Sequence, residues 1–338
     1  MERRVTVVMP VRNEAAYVER AIRSVARAGS ALDALEVIVV DGMSSDGTRE
    51  VVERLAAEVP GLRLVDNPER TVPYAMNRGV MAASHDVVVR VDGHAEVHPD
   101  FLEECLAALE AHPECACVGG RIENVDLGPV SAAISLAMGS PFGVGNARFR
   151  TGGDDGYVDT LAFGAYRKAD LLRVGLFDEE LARNQDDELN FRLLKAGRLI
   201  WFTNRIRSRY FVRASYAKLW RQYFQYGYWK VYVNRKHGTV TNLRQLAPPA
   251  LIVWLVATLA AGAFWAPARW ALVATLVAYG AAALVAALAR TREPAALLRT
   301  VAAFGVLHAA YGLGYLAGLR DFVMLGRRPS ARSAELSR

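Results

Sequence analysis

Three long apolar runs near the C-terminal end constrain this 338-residue chain more than any other feature. Leu246 to Ala266 holds 21 residues without a charge, Trp270 to Ala289 another 20, and Thr300 to Leu319 a further 20 interrupted only by His308. About 20 apolar residues suffice to cross a bilayer, so the pattern predicts two or three spans rather than buried core helices. Trp265 and Trp270 suit a membrane interface, and Trp254 lies within the first run. At the other end, Val5 to Met9 is too short for a signal-peptide core and stops at Pro10. The soluble part is therefore expected in the cytoplasm, with the first span leaving and the second returning to Arg290 and Arg292. A full third span would put Arg320, Arg327, Arg328, Arg332 and Arg338 outside, against the positive-inside tendency. Two arrangements stay open for 300–319: a true third span, or a re-entrant or interfacial segment with a cytosolic tail. The expected division is a soluble domain over 1–218, an aromatic and basic interface segment over 219–244, a membrane region over 245–325 and a flexible basic tail over 326–338.

The first hundred residues alternate in a different rhythm. Strand patterns at 5–9, 36–40, 62–65 and 87–91 are separated by helical patterns at 15–28, 48–59 and 72–83, and 100–111 is again helical. Such alternation predicts an α/β fold with a mostly parallel sheet covered on both faces. Ligands in these sheets bind beyond the carboxyl ends of the strands. Polar residues gather there: Arg12, Asn13 and Glu14, then Asp41 to Asp46, then Asp92 and His94. Neither a G-x-G-x-x-G turn after the first strand nor a P-loop occurs, which removes the main support for dinucleotide and P-loop readings. The formal charge of +6 could suit nucleic acid, anionic lipid or a phosphorylated substrate. Much of the positive charge clusters near the spans, and no nucleic-acid-binding module is recognisable. Three cysteines, Cys105, Cys115 and Cys117, argue for burial in a reducing compartment rather than a disulfide framework.

Two loops carry the first chemical signal. VIVVDGMSSDGT, Val37 to Thr48, ends a buried-type strand on Asp41 and caps the next helix with Ser44, Ser45 and Asp46. MPVRNE, Met9 to Glu14, closes the first strand. Together these loops resemble the opening of the family 2 glycosyltransferases, which have a GT-A fold (Rossmann-like) and use nucleotide sugars. The resemblance continues through Pro73-x-x-x-Asn77-Arg78-Gly79 to VRVDGHAEV, Val89 to Val97. The later stretches Val118-Gly-Gly-Arg-Ile, Ser140-Pro-Phe-Gly-Val-Gly, Val158-Asp-Thr-x-x-Phe-Gly-x-Tyr-Arg, Val174-Gly-Leu-Phe-Asp-Glu and Arg183-Asn-Gln-Asp-Asp-Glu are similar to the succinoglycan-type branch of bacterial exopolysaccharide synthesis.

The resemblance implies roles by position. Pro10, Arg12, Asn13, Glu14, Asp41, Asp46, Asn77, Arg78 and Asp92 would line the nucleotide-sugar site. In the wider family an Asp-x-Asp pair binds Mg²⁺ or Mn²⁺, which bridges the donor diphosphate. Here Asp92 keeps the first position and His94 takes the second. Imidazole is a poor Mg²⁺ ligand and an acceptable Mn²⁺ ligand; protonated, His94 could contact a phosphate oxygen instead. Both roles stay open, as does a plain turn. The acceptor hydroxyl must lose a proton, and a carboxylate can take it. In RNQDDELNFRL, Arg183 to Leu193, Asp186 matches the family's base and Asp187 is the alternative if the register slips at Gln185. A helix N-terminus there should favour the ionised carboxylate. Glu188 and Arg192 match the later acid and arginine of that pattern. In WRQYFQYGYWKVYVNRK, Trp220 to Lys236, Arg221, Gln222, Trp229 and Lys230 could line the acceptor or diphosphate site, or simply anchor the chain at the interface.

The expected enzyme is an inverting glycosyltransferase at the bacterial inner membrane, with its catalytic domain in the cytoplasm. It would move a sugar, with glucose and UDP the implied donor parts, onto a polyprenyl-diphosphate-linked glycan. A processive polysaccharide synthase and a catalytically silent nucleotide-sugar scaffold are the competing readings.

Overall fold

The structure is a computed structural model and describes residues 2–126, 128–211 and 215–329. In chain order the elements are β1 (Arg4–Val11), α1 (Val18–Ala28), β2 (Ala34–Asp41), α2 (Thr48–Ala56), β3 (Leu62–Asp66), α3 (Val72–Ala82), β4 (Val87–Arg90), β5 (Ala95–Val97), α4 (Phe101–Ala111) and β6 (Cys115–Val125). Then follow α5 (Pro129–Met138), α6 (Pro141–Val144), α7 (Arg148–Thr151), β7 (Gly156–Tyr157), β8 (Ala165–Arg167), α8 (Lys168–Val174), α9 (Gln185–Lys195) and β9 (Leu199–Phe211). The last part holds α10 (Tyr216–His237), a 3₁₀ turn (Leu243–Leu246), α11 (Ala247–Ala261), α12 (Ala266–Leu288), α13 (Pro294–Gly318) and a π-turn (Leu319–Met324).

These elements form two compact units. The first comprises residues 1–124 and 147–211, the second 125–146 and 212–338. The segment 125–146 thus leaves the first unit, which differs from the expectation of one continuous domain over 1–218. Its sequence gives a reason: from Pro129 to Ala147 it carries no charge, and α5 packs on α13.

The first unit is built on one sheet of order β3-β2-β1-β4-β8-β6-β9-β5, with β7 on β9. Strands β3, β2, β1 and β4 run parallel. The expected parallel sheet is therefore its first half; β8 joins β4 and β6 antiparallel, and β5 and β7 join β9 the same way. Strand β1 is buried from Val5 to Val11, as a central parallel strand covered on both faces must be. Its side chains alternate: Val5, Val7 and Met9 enter one core with Val37 and Val39, while Val8 enters the other with Ile38 and Val40. Helix α3 sits close to β1 because Gly79 has no side chain; a methyl group there would fall 2.2 Å from Val8 Cγ1.

In the second unit, α11 with the 3₁₀ turn before it, α12, and α13 with its π-turn are long and apolar enough to cross a membrane. Helix α10 packs along α13 through glycine contacts. Gly227 lies against the Tyr311 carbonyl, Gly314 against Phe224 and Gly318 against Tyr228. Residues 330–338 of the expected basic tail, Arg332 and Arg338 among them, lie outside the described residues.

Candidate active site

The polar groups of the first unit meet beyond the carboxyl ends of β1, β2 and β4. There the loops after β1 and β2 are stitched together. Asn13 donates its N–H to Ser44 Oγ at 2.8 Å and accepts Ser45 N–H on Oδ1 at 3.0 Å. Glu14 N–H donates to Thr48 Oγ1 at 2.8 Å, and Ala15 N–H to Asp46 Oδ2 at 3.1 Å. Asn13 holds φ +54° and Met43 φ +56°, left-handed values that a non-glycine residue adopts only when its surroundings over-determine it. Asp46 sits below the usual carboxylate range: burial opposes its charge, and the Thr48 hydroxyl and neighbouring backbone N–H groups more than compensate.

Asp41 ends β2 fully buried. It accepts Ser44 Oγ at 2.5 Å, Ser44 N–H at 3.0 Å and Arg49 Nη1 at 2.9 Å. Its carboxylate therefore organises the loop. Pro10 lies within β1, opposite Val40. Arg12 rests against Gly42, and its Nη1 is buried with no hydrogen-bond partner among the described residues. A buried orphan donor at this edge suits an anionic or carbonyl group of a ligand.

The feature not foreseen from sequence is Arg90. This residue stands two before Asp92 on β4 and is buried. Its Nε donates to Asp92 Oδ1 at 2.9 Å, Nη2 reaches Asp92 Oδ2 at 3.4 Å, and Nη1 donates to Asp186 Oδ1 at 2.8 Å. One guanidinium thus joins the candidate metal ligand to the candidate base. Burial works against the Arg90 cation, but Asp186 and Asp92 outweigh it and hold its pKa above the ordinary arginine value. A charged residue inside an otherwise apolar strand, VVVR, was the available signal.

Asp186 lies in the first turn of α9, after Asn184 in the left-handed conformation at φ +61°. The helix start was expected to favour its ionised form. Instead its pKa is raised: burial dominates, and the attraction of Arg90 offsets it only in part. Asp187 is half-buried in the same turn. Next to Asp186, Gln185 carries a buried Oε1 with no partner among the described residues.

His94 Nδ1 lies 2.9 Å from Glu14 Oε1 and its ring meets Tyr210 edge-on at 5.3 Å. The pair links the β1 loop to the β4 loop. Asp92 and His94 are partly exposed, at 19% and 26% of their side chains. No group of three His, Cys, Asp or Glu side chains suited to a metal occurs among the described residues. Two protein donors nevertheless fit a cation that takes its other ligands from substrate phosphates and water.

Several expected contacts go elsewhere. Glu188 is buried and paired through both oxygens with Arg192, at 2.7 Å each; Arg192 in turn donates to the carbonyls of Val174 and Leu176. This pair fastens α9 to the end of α8. Asn77 clamps the loop after α8, donating to the Phe177 carbonyl and accepting its N–H, both at 2.9 Å. Arg78 forms a surface pair with Glu69 at 2.9 Å. Arg221, Gln222, Trp229 and Lys230 belong to α10 in the second unit. There Gln222 donates to the Tyr226 hydroxyl at 2.8 Å, Trp229 Nε1 donates to Gln225 at 3.1 Å, and Lys230 is buried.

Known proteins resemble this chain in sequence and fold. The family model described as glycosyl transferase family 2 matches residues 6–174. The chain is 34% identical to the succinoglycan biosynthesis protein ExoA of Rhizobium meliloti (strain 1021), over 94% of this chain and 95% of that protein. It is 25% identical to a Methanococcus voltae dolichyl N-acetyl-alpha-D-glucosaminyl phosphate 3-beta-D-2,3-diacetamido-2,3-dideoxy-beta-D-glucuronosyltransferase, over 93% and 97%. Among solved structures, the mannosyltransferase PcManGT from Pyrobaculum calidifontis, in complex with GDP-Man and Mn²⁺, superposes with a TM-score of 0.61 at 25% identity, covering 91% of this chain and 86% of that one. The mixed sheet is thus the GT-A fold, and the chain belongs to glycosyl transferase family 2.

Proposed function

We propose that this glycosyltransferase moves a single sugar from a UDP-linked donor, with glucose the first choice, to a polyprenyl-diphosphate-linked glycan in exopolysaccharide assembly. Likeness to a succinoglycan biosynthesis protein supports the pathway class. Likeness to an enzyme whose name specifies a dolichyl phosphate-linked sugar supports a lipid-borne acceptor. Candidate spans in the same chain support placement at a membrane, with the catalytic unit on the cytoplasmic side.

The observation that carries the reading is Arg90 held between Asp92 and Asp186. Asp186 accepts the proton of the acceptor hydroxyl as that oxygen attacks the anomeric carbon, with Asp187 the alternative base. A base with a raised pKa is better matched to neutral pH than an ordinary aspartate. One direct displacement inverts the anomeric configuration. Arg12, Asn13, Glu14 and Asp46 hold the nucleotide, and Asp41 keeps their loops in place. Asp92 and His94 would hold a divalent cation, Mn²⁺ fitting the imidazole better than Mg²⁺; once bound, it supplies charge stabilisation for the departing diphosphate. Glu188, Arg192, Asn77 and Arg78 serve the fold around the site.

The test incubates purified protein with labelled UDP-glucose, other UDP-sugars and GDP-mannose, a membrane lipid extract, and Mn²⁺ or Mg²⁺. One labelled sugar per lipid-linked product, lost in Asp186→Asn, supports the reading. Long products would make it a processive synthase. Binding without transfer under every condition would leave a scaffold.

A further inference from the structure

We infer that the third apolar helix, α13, lies along one surface of the membrane instead of crossing it, with its flanking arginines in the headgroup layer of a single leaflet. The inference rests on α11 and α12 being true spans. These two form an antiparallel hairpin: Trp254 Nε1 donates to Thr275 Oγ1 at 3.0 Å, and Arg269 Nε to the Gly262 carbonyl at 2.5 Å. Two crossings return the chain to its starting side, so the start of α11 and the end of α12 share a face.

Connectivity brings two further ends to that face. Residues 238–242 separate α10 from the turn that opens α11, and Asn234 Nδ2 donates across this link to Gln245 Oε1 at 3.0 Å. Residues 289–293 separate the end of α12 from the start of α13. The end of α10 and the start of α13 are therefore on one side of the membrane.

Helices α10 and α13, however, run parallel and in register. At their starts, the Tyr216 hydroxyl donates to the Arg299 carbonyl at 2.9 Å. Further along, Gly314 lies against Phe224 and Gly318 against Tyr228. At their ends, Arg235 donates to the Phe322 carbonyl. The end of α13 is thus level with the end of α10, which is on the side where α13 begins. Both ends of α13 share that side, and a helix whose two ends share a side has not crossed.

Charge and apolar surface agree with this parity. Arg244, Arg290, Arg292, Arg320, Arg327 and Arg328 all fall on the one face, while the α11–α12 turn region has Arg269 alone, the distribution of a positive-inside protein. Along α13 and its π-turn, Leu298, Leu313 and Val323 are 70%, 39% and 57% exposed, an apolar stripe that acyl chains can cover.

Cysteine labelling of the full-length protein in sealed membrane vesicles tests the arrangement. Cys105, Cys115 and Cys117 are buried, so a membrane-impermeant maleimide reports introduced sites: Phe264→Cys in the α11–α12 turn, Arg292→Cys before α13 and Arg328→Cys after it. The expected result is labelling of 292 and 328 in the same vesicle orientation and of 264 in the opposite one. Labelling of 328 together with 264 makes α13 a span and overturns the inference. Labelling of 264 together with 292 shows that the hairpin does not cross and overturns it as well. If Arg328→Cys fails to accumulate, a C-terminal tag on the unsubstituted chain is read by protease in the same vesicles. Cleavage from the side of residue 292 supports the inference, and cleavage from the other side refutes it. Failure of sugar transfer would leave all these outcomes unchanged.

Discussion

Replacing Arg90 with glutamine removes the cation that bridges Asp92 and Asp186 while keeping a polar side chain of similar reach. The Nη1 to Asp186 contact is 2.8 Å, which puts the charge centres about 4 Å apart. At an effective dielectric near 20 that pair contributes about 4 kcal/mol. Losing that attraction should raise the Asp186 pKa further above the ordinary aspartate value. The sign follows from its environment. Burial already raises this carboxyl, and Arg90 is the main influence lowering it. A base works ionised, so activity is present above its pKa and disappears as pH falls through it. The acid limb of kcat/KM should therefore lie above that of an ordinary aspartate in the native enzyme, and move further up in Arg90→Gln. The variant should lose activity at neutral pH and recover part of its rate in alkaline buffer. Arg90→Lys, which retains the charge, should fall between the two. The assay is transfer from labelled donor across the pH range, with folding confirmed by a melting curve. A uniform loss at every pH with an unmoved limb would refute the reasoning, because it would assign Arg90 to architecture alone.

Four other outcomes follow from the same contacts. Glu188→Ala leaves Arg192 largely buried without its carboxylate, so the first unit should lose about 3–5 kcal/mol, read as a drop in melting temperature. Asn77→Ala orphans both backbone groups of Phe177 and should lower stability by about 1–3 kcal/mol, with nucleotide affinity retained in a calorimetric titration. His94→Asp sets a carboxylate against Glu14 and should make nucleotide binding depend more steeply on Mn²⁺, measured by titration with and without the metal. Gly314→Leu drives a side chain into α10, since even a methyl group would fall 2.1 Å from the Phe224 carbonyl; melting in detergent should show the second unit loosened.

Much of this architecture is legible in the sequence because its signals are local. The β/α alternation set β1 to β4 within a residue or two, since each strand is an apolar run bounded by polar loops. The antiparallel half was not legible: β8 is three residues long and β7 two, and such strands are defined by their partners. The segment 129–146 escaped for a related reason. Its apolar helix is too short to signal a membrane segment, and its membership in the second unit comes from contacts with α13, far along the chain. Local contacts were readable where the motif was a loop, as in the capping of α2 by Asp46 through Thr48. A charge that pairs within the fold is harder to read. Glu188 and Arg192 look like site residues in a motif, yet sit four apart on one helix face and pair with each other. Arg90 shows the converse, since nothing local says which carboxylates a buried arginine will meet.

The same charge accounting bears on the unusual Asp-x-His. Around the rim stand Asp92, Asp186 and Glu14, and against them Arg90 and whatever charge His94 carries. With Asp at position 94, four carboxylates would face one guanidinium before any diphosphate arrived. Like charges at such distances repel strongly in a partly buried site, and a divalent cation would then be needed merely to hold the rim together. An imidazole at 94 changes that requirement. Hydrogen-bonded to Glu14, it neutralises one acid when protonated and offers a nitrogen ligand when not. The rim's own charges can then hold it together with no cation present. Asp-x-His is on this view a coherent alternative to Asp-x-Asp, with Arg90 as the second half of the same compensation: the arginine balances Asp92 and Asp186 on one side of the loop as the histidine balances Glu14 on the other.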